Sequence, residues 1–149
     1  MIEAIVLDTG VSGQASHPRR NPEFAQWFDR MLATDTTMII AEIADYEVRR
    51  ELLRAERSIG ITRLDQLKAT LIYLPLTTPI MLRAAHLWAE VRKRGRPTAD
   101  PKELDCDVIL AAQALEVGAV VVTDNIGHLS LFVEAKSWRE IVIEEQRRK

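Results

Sequence analysis

Short apolar runs rich in branched residues alternate along this chain with longer stretches whose apolar residues recur every three or four positions, and that alternation constrains the fold most tightly. Glu3–Asp8 (EAIVLD) and Ala119–Thr123 (AVVVT) are the clearest short runs and read as buried strands. The first is stopped by Thr9-Gly10, with Gly13 and Pro18 beyond, a stretch that reads as turn. Thr36–Ile40 reads as a second strand, and Ile72–Leu76 as a short one in which Pro75 argues for a sheet edge or a strand end. Between these, Pro22–Ala33 aligns Phe24, Trp27, Phe28, Met31 and Leu32 at helical spacing, with Pro22 suited to a first turn. A helical period runs from Ile43 through Leu53 to a stop at Gly60, Ile61–Thr70 reads as a further helix, and Ile80, Ala84, Leu87, Trp88 and Val91 form another stripe. Val108–Leu115 reads as a helix closed by Gly118. Alternation of this kind predicts an α/β domain with a mainly parallel central sheet and helices on both faces, binding ligands at the carboxyl ends of its strands.

At 149 residues, the chain is expected to form a single domain over 1–149. Its 47% hydrophobic and 28% charged residues supply a core and a soluble surface, which excludes a disordered chain. Cys106 is the lone cysteine, too few for a disulfide or a cysteine zinc site, and a reducing, cytoplasmic setting is expected. No run approaches the roughly 20 apolar residues of a membrane span, so no membrane is expected as a partner. A net charge of -2 leaves any nucleic-acid affinity to local patches.

The acids fall where such a sheet would use them. Asp8 ends the first strand, Asp124 ends the last strong one, Glu47 lies early in a helix, and Asp105 and Asp107 open the Val108 helix. Parallel strands end on one side, so Asp8 and Asp124 share a rim, to which Asp107 and Glu47 can be added. Two like charges about 4 Å apart repel by roughly 4 kcal/mol at an effective dielectric near 20, a conflict that a divalent cation resolves. Oxygen-only ligands suit Mg²⁺ or Mn²⁺, which generate hydroxide and stabilise the oxyanions of phosphodiester displacement.

These motifs, IVLDTGVSG, AEIADYEVRREL, DCDVILAAQAL and VVVTDNIGHLSLF in that order, resemble the PIN-domain family and are similar to its VapC-type toxin ribonucleases, over Ala4 to Phe132. The resemblance implies a three-layer α/β/α sandwich and a metal-dependent ribonuclease with three invariant acids and a variable fourth. Asp8, Glu47 and Asp107 match the three, with Glu42 an alternative register for the second. The fourth region, normally Thr-x-Asp or Thr-x-Asn, reads TDN here. That puts Asn125 on the family position, with Asp124 just before it, and Asp124 is taken as the fourth acid. Asp105, Thr123 and Asn125 are then supplementary or supporting residues. The resemblance also implies a homodimer and an antitoxin that plugs the acidic groove, for which the helix bearing Phe24, Trp27 and Phe28 offers a surface.

Each residue also has a plainer reading. Asp8 can make an Asx-turn, Glu47 can pair with Arg50, Asp105 can cap the Val108 helix, and Asp107 can complement its dipole. Arg92, Lys93, Arg94 and Arg96 can meet RNA phosphates or simply solvate a helix end; Arg49, Arg50 and Arg54 follow Glu47 as further candidates. His86 with Glu90 reads as a surface pair, His128 as packing or capping. No nucleophile elbow, P-loop or dinucleotide fingerprint occurs. The expected activity is therefore Mg²⁺- or Mn²⁺-dependent hydrolysis of RNA. The alternatives are a catalytically inactive PIN-fold module binding RNA or protein, which the departure at TDN favours, and a phosphatase of small esters.

Overall fold

The computed structural model describes residues 2–95, 101–124, 126–127 and 129–141, the side chains of 101–103 excepted. Strands β1 (Ala4–Leu7), β2 (Thr37–Ala41), β3 (Ile72–Leu74), β4 (Val120–Thr123) and β5 (Ala135–Ser137) form one sheet in the order β3-β2-β1-β4-β5. Every pairing is parallel. The helices are α1 (Thr9–Ser16), α2 (Pro22–Leu32), α3 (Glu42–Arg54), α4 (Ser58–Thr70), α5 (Thr78–Lys93) and α6 (Pro101–Glu116). Successive side chains of a strand point to opposite faces, so a central strand must be apolar throughout. Ile5, Val6 and Leu7 of β1 are all fully buried. Val6 joins the layer built with α5 and α6 (Ile80, Val91, Val108, Ala111), whereas Ile5 and Leu7 join the layer of α1, α2 and α4 (Val11, Phe24, Leu64). The result is an α/β/α sandwich. With β2 on one side of β1 and β4 on the other, the strand order reverses between β1 and β4, where crevices open at the carboxyl edge.

Several elements depart from the sequence expectation. The Thr9-Gly10 stretch is not a turn but the start of α1: the Asp8 side chain accepts from the Val11 N–H at 2.8 Å, capping the helix, and Val11 and Ala15 bury themselves against the sheet. Packing here outweighs the poor helix propensity of two glycines. Gly60 does not end a helix either. α3 closes at Arg54, Glu56 turns the chain at φ 55°, and Gly60 sits inside α4, where a Cβ would lie 2.8 Å from Leu52 Cδ2 of α3. Its lack of a side chain sets the α3–α4 approach. α6 begins at Pro101, so Asp105 and Asp107 lie within the helix, and Asp105 is an exposed residue rather than a cap. Strand β3 stops at Leu74, before Pro75, and is an edge as expected; β5, unmarked by any apolar run, forms the other edge. Phe24, Trp27 and Phe28 are buried, Phe24 and Trp27 packing with Trp138 and Phe28 with both of them, so they are core and offer no partner surface.

Candidate active site

Asp8 and Asp124 follow the last residues of adjacent parallel strands β1 and β4, whose register pairs Leu7 with Val122. The Asp8 N–H donates to the Val122 carbonyl at 2.9 Å, carrying the ladder one residue beyond β1 and fixing Asp8 at the rim. Its carboxylate serves two elements: one oxygen caps α1, and the Thr123 hydroxyl donates to it from β4. Burial pushes the carboxyl above its ordinary value. The Thr123 and Val11 hydrogen bonds pull it back, and the neighbouring carboxylates of Asp124 and Glu47 press it up again.

Glu47 arrives from α3. Thr9 Oγ, next to Asp8, donates to Glu47 Oε1 at 2.7 Å, and Arg50 Nη2 stands 3.7 Å from Oε2. The surface pair with Arg50 therefore exists together with the link to the rim. Glu42, the alternative register, is turned elsewhere: its Oε1 accepts from the Leu76 N–H at 2.6 Å and pins the approach to α5. From α6, Cys106 faces Glu47, and burial followed by the charge of Glu47 pushes its thiol up to about 11. Asp107 is half-buried beside it, and its charge adds to the effect on Cys106. The helix thus brings Cys106, the residue before Asp107, to Glu47.

Asp124 is gripped by other residues. Trp138 Nε1 donates to its Oδ1 at 2.6 Å, Arg139 Nη1 lies 3.3 Å from the same oxygen, and Gln14 of α1 donates to Oδ2. Thr9, Gln14, Cys106, Trp138 and Arg139 were not candidates by sequence. Only the adjacency of Thr9 to Asp8 and of Cys106 to Asp107 hinted at two of them. Among the described residues, no three His, Cys, Asp or Glu side chains close around a single point; Asp8, Glu47 and Asp124 instead lean on the hydrogen bonds above.

A groove of about 650 Å³ opens at Thr9 and Glu47 and runs between α1 and α3 to Gly60, with Arg19, Arg20, Arg54 and Arg57 along it. Arg54 is paired with Glu51 at 2.8 Å. Arg49 is committed to Asp45 and Asp65 and serves structure. Arg92, Lys93 and Arg94 are exposed at the end of α5, with Arg92 5.1 Å over the Trp88 ring. The pairing of Arg83 with Glu116 makes α5 and α6 antiparallel, so this basic end lies beside the start of α6 rather than in the groove. His86 and Glu90 are both exposed. Arg96, Asn125 and His128 lie outside the described residues.

No protein of curated function is matched by this chain. Among solved structures, VapBC2 from Rickettsia felis bound to a DNA fragment from its promoter superposes with a TM-score of 0.75 at 17% identity, covering 91% of this chain and 98% of that one. FitAcB from Neisseria gonorrhoeae gives 0.72 at 20%, covering 92% and 99%, and DNA-bound VapBC from Salmonella typhimurium 0.69 at 20%, covering 93% and 99%. At such identities the likeness is one of fold. The model of the PIN domain matches residues 5–130, from the middle of β1 through Asp8, Glu47, Asp107 and Asp124, and this chain belongs to the PIN domain family.

Proposed function

We propose that this chain is a Mg²⁺- or Mn²⁺-dependent endoribonuclease, one nuclease domain over 1–149, acting as the toxin of a toxin–antitoxin pair. PIN domains are in general nucleases that use divalent metals. The observation that carries the reading is the meeting of Asp8 and Asp124 at the strand-order reversal, with Glu47 tied to Asp8's helix through Thr9. The donor set consists of carboxylate oxygens, which suit these hard cations, and the Asp8 carboxyl, raised first by burial and further by the carboxylates of Asp124 and Glu47, is a group whose charge a cation stabilises. Asp8, Glu47, Asp107 and Asp124 would hold it, with Asp105, Thr123 and Asn125 in support. When bound, such an ion acidifies water and neutralises charge developing on the phosphate.

The chain's own residues orient this set. Val11 N–H and Thr123 fix Asp8, Thr9 fixes Glu47, and the groove brings Arg19 and Arg57 within the path of an RNA backbone leading to the rim. Arg92, Lys93, Arg94 and Arg96 form a second phosphate-binding patch in this reading. The VapBC and FitAB relatives of the fold support a protein antitoxin as partner, and a homodimer in the cytoplasm completes the proposal. No described helix is long and apolar enough to cross a membrane.

The test is cleavage of a panel of tRNA, rRNA and single-stranded RNA with Mg²⁺ or Mn²⁺ by wild type, Asp8→Asn and Asp107→Asn. Metal-dependent cleavage lost in both variants is expected; cleavage retained in both would remove these acids from the site. Co-expression with the product of the neighbouring gene should suppress toxicity, and indifference to it would end the toxin assignment. A second reading, an inactive module binding RNA or protein, draws on Asp8, Glu47 and Asp124 each already holding protein partners. It expects RNA binding that is unchanged in chelator and no cleavage.

A further inference from the structure

The C-terminal edge strand does more than close the sheet. Its parallel register sets Thr123 opposite Ser137, so the residues that follow, Asp124 and Trp138, leave the two strands side by side. Trp138 is 3% exposed and is clamped by Phe24 edge-on at 5.3 Å and by Trp27 at 5.7 Å. Its one polar atom, Nε1, donates to Asp124 Oδ1, and Arg139, stacked over the Trp138 ring at 4.3 Å, reaches the same oxygen. The other oxygen, Oδ2, faces α1 through Gln14, and α1 is the helix that Asp8 caps. A surface carboxylate ordinarily samples several rotamers. This one is tied at Oδ1 by an indole that cannot itself turn without disrupting its contacts with Phe24 and Trp27.

We propose that Trp138, assisted by Arg139, is a positioning residue: it fixes Oδ1 of Asp124 so that Oδ2 is turned to the Asp8 side of the rim, where these acids would hold a divalent cation. The inference rests on the nuclease reading and adds to it a device by which the aromatic core under α2 sets the geometry of the variable fourth acid. The device also accounts for Asp124 serving here, one residue before the family position. That aspartate is the one the β5 register brings to the indole.

The test uses the intact chain and a readout separate from cleavage. In ¹H–¹⁵N spectra the Trp138 indole resonance, assigned through its contacts to Phe24, should move in Asp124→Asn and on addition of Mg²⁺, while that of Trp88 stays still. Mn²⁺ affinity, followed by water-proton relaxation, should fall about tenfold in Trp138→Phe, which keeps the ring packing and removes the N–H, and two- to threefold in Arg139→Gln. In the Asp124→Asn background the Trp138→Phe change should cost nothing further. Cleavage should lose kcat with KM for RNA unchanged. Wild-type Mn²⁺ affinity in Trp138→Phe, or losses that add with Asp124→Asn, would overturn the positioning role and leave the nuclease reading standing. Absence of Mn²⁺ binding by wild type would overturn both. Should Trp138→Phe fail to fold, Arg139→Gln and the indole shift in Asp124→Asn decide: an unmoved resonance with unchanged Mn²⁺ affinity ends the proposal.

Discussion

Asp45 and Asp8 are both shielded acids close to the sheet, and their surroundings are opposite. Asp45 on α3 is 7% exposed and is met by Arg49 at 3.0 Å and Lys68 at 3.6 Å, with Arg49 continuing to Asp65 at 2.7 Å. Asp8 is met by a hydroxyl, a backbone N–H and the carboxylates of Glu47 and Asp124. Where a buried carboxylate serves only the fold, the chain supplies a countercharge directly; Asp8 is given orientation by a hydroxyl and an N–H, and the arginines of the rim, Arg50 and Arg139, stand at its neighbours Glu47 and Asp124 instead. Shielded acids that face other acids rather than a cation concentrate at functional sites.

The contrast breaks most sharply in activity. Asp8→Asn and Asp107→Asn are expected to cost at least about a hundredfold in metal-dependent RNA cleavage, and Asp45→Asn less than about threefold, in initial-rate assays on one RNA. A comparable loss in Asp45→Asn would erase the distinction.

Stability should run the other way. Asp45→Asn leaves Arg49 and Lys68 without their shared partner and should cost about 3 kcal/mol, roughly 10 °C in Tm. Asp8→Asn keeps a good N-cap for α1 and removes a buried charge together with its repulsion by Asp124 and Glu47, so at pH 7 its Tm should equal or exceed wild type by a few degrees, roughly the effect of about 1 kcal/mol. The sign follows from linkage. The Asp8 carboxyl is raised above 3.8 in the folded state, so the native protein holds that proton more firmly than the unfolded chain. Its contribution to stability falls as pH climbs from 3.8 through the raised value, and the advantage of Asp8→Asn should fade on acidification toward pH 3. A variant less stable than wild type at pH 7 would contradict this account.

The smallest effect concerns Cys106. With its thiol pushed up to about 11, alkylation at pH 8 should be at least about tenfold slower than for a free cysteine, and Glu47→Gln should speed it. An unchanged rate in Glu47→Gln would separate Cys106 from the rim.

How much of this was readable in the chain depends on whether the signal was local. β1 and β4 announced themselves as branched apolar runs, and Asp8 and Asp124 could be put on one edge because parallel strands end together. α1 was hidden, since Thr9, Gly10 and Gly13 carry turn chemistry and only burial of Val11 and Ala15 makes a helix of them. Gly60 looked like a terminator for the same reason; its role depends on Leu52 of a different helix. The aromatic stripe of α2 has the same spacing whether it faces a core or a partner, and Trp138 decides the matter from the opposite end of the chain. Ala135–Ser137 has no strand signature, so neither β5 nor the grip on Asp124 could be foreseen.

The all-parallel order of the sheet also bears on the life of the chain during synthesis. Among the described residues no strand pairs with its sequence neighbour by a hairpin, so every rung waits for a crossover to be completed. Gln14 and Asp124, joined across the rim, are 110 positions apart. A growing polypeptide on the ribosome, surrounded by RNA, carries Asp8 and Glu47 long before it carries the partners that gather them, so the rim assembles only after β4 and β5 have emerged. The order of strands thereby acts as a timer: the acids of the rim stay apart until the strands that gather them have been made.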